Sequence, residues 1–168
     1  MYKRQISKIY FPRLLVPTAA VLSGAVDFAV TFVLIGGMMA WYGIPPGHQL
    51  WLFPVAAALV FVLTTGTGYW LSALNVEYRD VRVLVPFLIQ VGLYVTPVVY
   101  PREMLPEPLA RMVLLNPMTG LVEAFRAAVL GTPVSWGALG VAAVLTVMVA
   151  VSGACFFARV ERSFADLL

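Results

Sequence analysis

Two long uncharged runs, joined by one short charged stretch, constrain what this sequence can fold into. Residues 50–76 contain no Asp, Glu, Lys or Arg, and residues 83–101 contain none either. At their junction lies NVEYRDVR, residues 75–82, which we call the charged stretch and which holds two acids and two arginines. A helix needs about 20 apolar residues to cross the hydrocarbon core of a bilayer. The pattern therefore predicts two membrane spans, joined by a polar connection that suits docking to a protein.

The amino-acid composition places the chain among integral membrane proteins. Of its 168 residues, 61% are hydrophobic and only 11% are charged, whereas soluble domains carry about 25% charged residues. A soluble protein of this size cannot bury so much apolar surface. Cys155 is the single cysteine and lies in an apolar run, which excludes a disulfide framework and a cysteine-rich metal site.

The distribution of apolar residues predicts an all-α integral membrane fold with four transmembrane helices. The predicted spans cover residues 14–42, 50–74, 83–100 and 133–158. The third contains Pro86 and Pro97, which free backbone carbonyls and so favour a kinked helix enclosed by protein. In the second span, the small residues of TTGTG, residues 64–68, favour close helix packing. They do not form a phosphate loop, because the lysine of that motif is absent.

A helical hairpin is predicted between the third and fourth spans, over residues 101–132. Its second half contains the sequence NPMTGLVEAFRAAVLG. Asn116 is suited to cap a short helix that has Pro117 at its first position and ends at Gly131. Glu123 and Arg126 lie three residues apart on that helix and can pair. Neither half is long enough to span, so we predict a re-entrant or interfacial hairpin.

The first five residues, MYKRQ, are set apart from the fold. They resemble the translation of a transposon adapter used in sequencing libraries. We therefore assign residues 1–5 to a sequencing scar and residues 6–168 to the natural chain. The natural sequence then begins in mid-protein, and we expect this chain to be the C-terminal part of a longer one.

The positions of lysine and arginine predict the orientation of the chain. With four spans, the basic and aromatic segment 6–13, the charged stretch and the segment 159–168 share one side of the membrane. From residue 6 onward that side holds six lysines and arginines, and the other side holds three, namely Arg102, Arg111 and Arg126. The positive-inside rule makes the first side cytoplasmic, with both ends of the chain cytoplasmic and the hairpin extracytoplasmic.

Four residues inside the predicted spans are candidates for a translocation path. Asp27 lies in the first span, where a carboxylate costs about 2.5–3.5 kcal/mol on insertion scales and so must face protein or water. The alternative for Asp27 is a structural hydrogen bond to a neighbouring helix, or a protonated acid. The aromatic residues of the third span present apolar faces to sugar rings, or else they are packing and belt residues. They are Phe87, Tyr94 and Tyr100.

The sequence offers no set of residues for catalysis or metal binding. His48 is the single histidine, with no second candidate ligand near it, and we interpret it as a loop residue. The sequence contains no nucleotide-binding motif, no serine-nucleophile motif and no acidic metal cluster. We therefore expect no enzyme activity, no cofactor and no metal in this chain, and an acyl or phosphoryl transferase is disfavoured.

Several segments, taken in order, resemble the ABC-2 type permeases. They read KIYFPRLLVP, VLSGAVDF, LSALNVEYRDVR, VPFLIQVGLYVTPVVYP, LLNPMTGLVEAFRAAVLG and RVERSFADLL. The resemblance is closest to the branch that exports lipid-linked polysaccharide and polyol phosphate, such as O-antigen, capsule and teichoic acid precursors, and it covers nearly the whole chain after residue 5. Such permeases have six spans. This chain would supply the last four and lack the N-terminal amphipathic helix and the first two spans.

The resemblance implies partners and roles for particular residues. Two permease subunits would form a pore in the bacterial cytoplasmic membrane, a separate ABC ATPase would bind beneath it, and a lipid-linked glycan would cross; no nucleic acid is implied. The ATPase-coupling residues would be Lys8, Tyr10, Arg13, Asn75, Glu77, Tyr78, Arg79 and Asp80. The outer gate would include Asn116, Glu123 and Arg126 in the hairpin.

Two other functions remain open at this point. One is an ABC-2 permease for a drug or another lipid, because only the hairpin and the aromatic residues favour a glycan. The other is a structural membrane subunit without transport. Co-purification of an ATPase whose hydrolysis responds to this chain would separate a transporter from a structural subunit.

Overall fold

A computed structural model describes residues 15–78 and 80–165 of the chain, and the side chains of all of these except 15–17, 76 and 161–165. The described part is built from six α-helices and one short 3-10 turn, with no strand. The helices are α1 Leu15–Tyr42, α2 Leu52–Glu77, α3 Val81–Val95, α4 Glu107–Val113, α5 Pro117–Leu130 and α6 Trp136–Ala165, and the 3-10 turn is Arg102–Met104. The predicted all-α fold is confirmed.

Three of the helices are long and apolar enough to cross a membrane. The qualifying segments are Thr18–Tyr42, Leu52–Asn75 and Trp136–Val160. At a rise of 1.5 Å per residue, even the shortest of them exceeds the roughly 30 Å of a hydrocarbon core. These segments correspond to the first, second and fourth predicted spans, and the chain is a multi-pass membrane protein.

The third predicted span forms a shorter helix than the apolar run alone indicates. Helix α3 has 15 residues and contains Pro86, which corresponds to a length of about 22 Å. It ends at Val95 because Thr96 adopts an extended conformation, with φ −82° and ψ 129°. The ring of Pro97 disfavours a helical conformation at the residue before it. The remainder of the apolar run, residues 96–101, is therefore not helical.

Helices α4 and α5 form the predicted hairpin, bent by 95° at the break between them. The predicted local signals are confirmed: Asn116 caps α5, Pro117 is its first residue, and Gly131 follows its end with φ +70°. Helix α5 is inserted between α2 and α6, where Leu121, Ala127 and Ala128 are fully buried. By length and composition, such a bent apolar pair fits a broken span or a re-entrant loop.

Small residues bring α2 and α6 into close contact. A Cβ atom added to Gly66 would lie 2.5 Å from the Cα of Ala150, and one added to Gly153 would run into the carbonyl oxygen of Gly66. Close to this contact, the Nε1 of Trp70 donates to the Oγ of Ser152 at 3.1 Å. The packing role predicted for the TTGTG segment is confirmed. In lipid, such van der Waals contact replaces the hydrophobic effect as the main source of helix association.

A cluster of phenylalanines attaches α1 to the other helices. The ring of Phe28 lies 5.8 Å from Phe53, 5.9 Å from Phe61 and 5.9 Å from Phe125, measured between ring centroids. Phe32 lies 4.0 Å from Phe53 in the same way. The cluster joins α1 to α2 and α5. The opposite face of α1 is exposed.

Candidate functional site

The non-helical segment after α3 is held against α5 by Arg126. The guanidinium Nη2 donates to the carbonyl oxygens of Val98 at 2.7 Å and Pro97 at 3.0 Å. It also reaches the carbonyl of Tyr100 at 3.4 Å. These carbonyls lie beyond the last turn of α3, where no backbone N–H of the helix is available to donate to them. A cation at this end of a helix also complements the helix dipole.

Asn116 makes a second connection between the same two elements. Its Oδ1 accepts a hydrogen bond from the backbone N–H of Met118 at 3.0 Å, which caps α5. Its Nδ2 donates to the Oγ1 of Thr96 at 2.8 Å. Thr96 and Pro97 are both buried at this junction. The side-chain amide of Asn116 therefore caps α5 and also binds Thr96, the first residue after α3.

The aromatic residues proposed for a translocation path divide into two groups. The side-chain hydroxyl of Tyr100 donates to the backbone carbonyl of Tyr94 at 2.9 Å, so Tyr100 satisfies a carbonyl in the last turn of α3. Phe87 and the ring of Tyr94 are exposed on α3. Tyr100 thus has a structural contact, whereas Phe87 and Tyr94 are free to contact other molecules.

Glu123 forms an ion pair with Arg102, and the predicted pair between Glu123 and Arg126 is wrong. The Nε of Arg102 lies 3.1 Å from the Oε1 of Glu123, and both side chains are largely buried. Arg126 instead directs its guanidinium toward the carbonyls after α3. Spacing along one helix cannot reveal such partners, because both come from a segment outside that helix.

A cavity of about 390 Å³ lies beside this ion pair. It is lined by Pro101, Arg102, Glu103, Glu123, Arg126, Thr132, Pro133 and Ser135. The lining combines both charge signs with hydroxyl groups, which suits contact with polar groups or water. Among the described residues, no group of three or more His, Cys, Asp or Glu side chains is placed to hold a metal ion.

The hairpin also contacts the loop between α1 and α2. The N–H of Gly47 donates to the carbonyl of Val129 at 3.2 Å. A Cβ atom on Gly47 would lie 2.6 Å from the backbone nitrogen of Gly131, so only glycine permits this approach. The end of α5 and residues 43–51 therefore lie at the same end of the molecule, as the sequence predicted.

The charged stretch lies at the opposite end, where α2 is followed by α3. Helix α2 continues through Asn75 to Glu77, and only residues 78–80 separate it from α3. The Nε of Arg82 donates to the Oδ1 of Asn75 at 3.1 Å, which joins the two helices beside the turn. The other coupling candidates that the structure describes here, Glu77, Tyr78 and Asp80, are exposed.

Four of the predicted coupling residues, Lys8, Tyr10, Arg13 and Arg79, lie outside the described residues. Asp27 is described and is exposed on α1, and its backbone carbonyl accepts a hydrogen bond from the hydroxyl of Thr31 at 2.8 Å. The side chain of Asp27 therefore lies on an exposed part of α1.

The sequence matches a known family over most of its length. The sequence model of the ABC-2 type transporter family matches residues 1–130. The chain belongs to this family. The matched part of this ABC-2 chain includes the charged stretch, α3 and both helices of the hairpin.

Two relatives of this ABC-2 chain share a name. A protein from Klebsiella pneumoniae, the O-antigen export system permease protein RfbA, is 25% identical over 97% of this chain and 63% of its own length. A protein of the same name from Myxococcus xanthus is 32% identical over 73% of this chain and 48% of its own length. The chain thus spans less than two thirds of the length of these relatives.

Sequence reasoning missed the residues that complete the junction. Thr96 and Arg102 were not predicted as site residues. Thr96 contacts Asn116 and Arg102 contacts Glu123, and both partners are predicted gate residues. A signal for the first was present, because a threonine before a proline marks the end of a helix. No local signal identifies its partner, which lies 20 residues further along the chain.

Proposed function

We propose that this chain is the permease subunit of an ABC exporter that moves a lipid-linked polysaccharide or polyol phosphate across the bacterial cytoplasmic membrane. The observation that carries the proposal is the position of α3. This helix runs from the charged stretch, where Glu77, Tyr78 and Asp80 are exposed, to the segment that contacts the hairpin, so it joins the two regions that an exporter must move together. The names of the relatives support O-antigen as the class of cargo.

In this proposal, ATP hydrolysis takes place on a separate ABC ATPase, and this chain supplies the docking surface. Glu77, Tyr78 and Asp80 are exposed between the last residue of α2 and the start of α3 and offer charge and an aromatic ring to a partner. Charge-assisted hydrogen bonds at such a surface are oriented and strong. With Arg79 and the basic segment around Lys8, they would receive the movement of the ATPase.

The cargo would pass along α3 within a pore formed by two copies of the permease. Phe87 and Tyr94 present exposed aromatic rings on this helix, and rings offer apolar contact to sugars without a deep fixed site. Asp27 would supply a polar contact in the same path. The hairpin, with Asn116, Glu123 and Arg126, would form the extracytoplasmic gate. Both ends of the chain would be cytoplasmic.

The test reverses one charge in the charged stretch and, as a control, one charge in the hairpin. Asp80→Lys, in the full-length transporter with its ATPase, is expected to reduce export by roughly tenfold, in the usual range of coupling between sites. ATP hydrolysis should persist. Glu107→Lys is the matched control, because Glu107 is an exposed acid on α4 whose ion pair is confined to its own helix. It should leave ATP hydrolysis unchanged and should reduce export less than Asp80→Lys does, because Glu107 lies far from the charged stretch in the sequence.

Export and ATP hydrolysis are measured separately in inverted membrane vesicles that receive the lipid-linked glycan on their outer, cytoplasmic face. Unchanged export by the Asp80 variant would show that the charged stretch is only a membrane flank. If the vesicles instead take up a drug or another lipid and not the glycan, the permease belongs to a different substrate class. Absence of any ATPase that binds the chain would favour a structural subunit.

A further inference from the structure

Helix α3 is attached to the rest of the molecule at its two ends and is loosely packed between them. None of its 15 residues is buried. At its start, Arg82 contacts Asn75 of α2. Beyond its end, Thr96 and Pro97 are buried against the hairpin. Few contacts along its length oppose a displacement of this helix, so its contacts at the two ends decide what moves with it.

The attachment at the C-terminal end is stronger than chain connectivity alone requires. Arg126 binds the carbonyls of Pro97 and Val98, and Asn116 binds the hydroxyl of Thr96. Hydrogen bonds from a charged donor are about twice as strong as neutral ones. The flat guanidinium reaches several carbonyls from one position, which a lysine ammonium on its flexible stem does less well.

Helix α5 is in turn firmly set in the molecule. Its buried residues pack between α2 and α6, and Gly120 lies so close to Ala138 that an added Cβ would collide with its carbonyl oxygen. The ion pair between Arg102 and Glu123 adds a third connection between α5 and the segment that follows α3. The segment after α3 and the hairpin are therefore joined at several points by side chains.

We propose that Arg126 and Asn116 form a latch that makes the end of α3 and the hairpin move as one rigid unit. The latch consists of their side-chain hydrogen bonds to the carbonyls of Pro97 and Val98 and to the hydroxyl of Thr96. Its significance for export rests on the proposed function: a displacement of the charged stretch, carried along α3, would reach the hairpin only while the latch is closed. Arg126 and Asn116 are positioning residues in this scheme.

The experiment measures the distance distribution between spin labels on the two elements. In a Cys155→Ser background, labels are placed at Leu93→Cys on α3 and Met112→Cys on α4, both at exposed positions. The chain is studied in lipid nanodiscs without nucleotide or substrate. Arg126→Gln and Thr96→Val are each expected to widen the distribution about twofold, because local contacts set which segments fluctuate independently.

Two controls separate the latch from general damage to the fold. Arg111→Gln removes an exposed arginine of α4 whose partner, Glu107, lies on the same helix, and it should leave the distribution unchanged. A second label pair at the exposed Val62 and Val147, on α2 and α6, should keep its width in every variant. Thr96→Val leaves the Asn116 cap of α5 intact, so its effect cannot arise from loss of the helix.

The proposal is overturned if the α3–α4 distribution stays as narrow in Arg126→Gln and Thr96→Val as in the unmodified chain. It is also overturned if the α2–α6 pair widens equally, since the effect would then be global. The measurement needs neither ATPase nor glycan. A negative result for the latch therefore does not contradict the transport proposal. Equally, a chain that exports no glycan can still show the latch.

Discussion

At the scale of single residues, Asn116 combines two tasks that are usually divided between side chains. Its carbonyl oxygen caps α5, and its amide nitrogen holds Thr96. Asn, Asp and Ser are comparable as caps, but only a side chain with a second polar atom of sufficient reach also contacts Thr96. The cap and the connection to α3 can therefore be removed separately.

We expect Asn116→Ala to lower the free energy of unfolding by about 2 kcal/mol, from about 1 for the lost cap and about 1 for the lost hydrogen bond. Asn116→Ser keeps the cap and should cost only about 1 kcal/mol. Unfolding of the purified chain by SDS titration in mixed micelles measures both. Equal stability of Asn116→Ser and the unmodified chain would contradict an energetic role for the contact with Thr96.

The same residues show where sequence reasoning succeeds at this scale. Asn116, Pro117 and Gly131 were placed correctly because a cap, a first-turn proline and a left-handed stop act over a few residues. The hydrogen-bond partners of Arg126 were not predicted, because these carbonyl groups lie 26 to 29 residues away in the chain. Every residue type also has a backbone carbonyl, so the sequence does not show which carbonyl accepts a hydrogen bond.

At the scale of helices, the contact between α2 and α6 depends on glycines that face each other. Gly66 and Gly153 let the two backbones meet, and this matters more in lipid than in water because apolar side chains gain nothing from leaving lipid. The sequence predicted the small-residue face of α2. It could not identify the matching position on α6, because several glycines of α6 lie within the same apolar run.

Gly153→Ala is expected to destabilise the protein by about 1–3 kcal/mol, the usual cost of overpacking. Gly140→Ala is the matched control on the same helix. No atom lies within 4 Å of a Cβ added at Gly140, so alanine there should be neutral or stabilising by up to about 1 kcal/mol. SDS unfolding of both variants is the measurement. A larger loss from Gly140→Ala than from Gly153→Ala would refute the proposed packing.

The length of α3 illustrates a different limit at the same scale. An apolar run indicates which residues avoid water, and it does not indicate where the helix stops. Hydropathy therefore predicted a span over residues 83–100, whereas the helix is Val81–Val95. The end is set by Thr96 and Pro97, whose conformations follow from the proline ring. Local stereochemistry therefore sets the C-terminal end of α3, whereas the apolar run predicts only which residues avoid water.

At the scale of the whole molecule, the two candidate regions lie at opposite ends. Residues 43–51 meet the end of α5, and residues 78–80 join α2 to α3 at the far end of these helices. Sequence reasoning predicted this separation from the alternation of apolar runs and loops. Which end faces the cytoplasm is predicted only from the distribution of arginine and lysine, and this prediction can be tested directly.

We expect a membrane-impermeant maleimide to distinguish the two ends. In a Cys155→Ser background, His48→Cys and Asp80→Cys each place one thiol at an exposed loop position. In intact spheroplasts His48→Cys should be labelled at least about tenfold faster than Asp80→Cys, because the positive-inside rule places the charged stretch in the cytoplasm. In inverted vesicles the order should reverse, which also shows that both thiols can react.

The orientation decides whether the transport proposal is physically possible. ATP is cytoplasmic, so the surface that receives movement from an ATPase must be the charged stretch, and the hairpin must open on the far side. Labelling of Asp80→Cys in intact spheroplasts would place the junction of Arg126 and Asn116 in the cytoplasm instead. The hairpin could not then act as an extracytoplasmic gate, and α3 would have to transmit movement in the opposite direction.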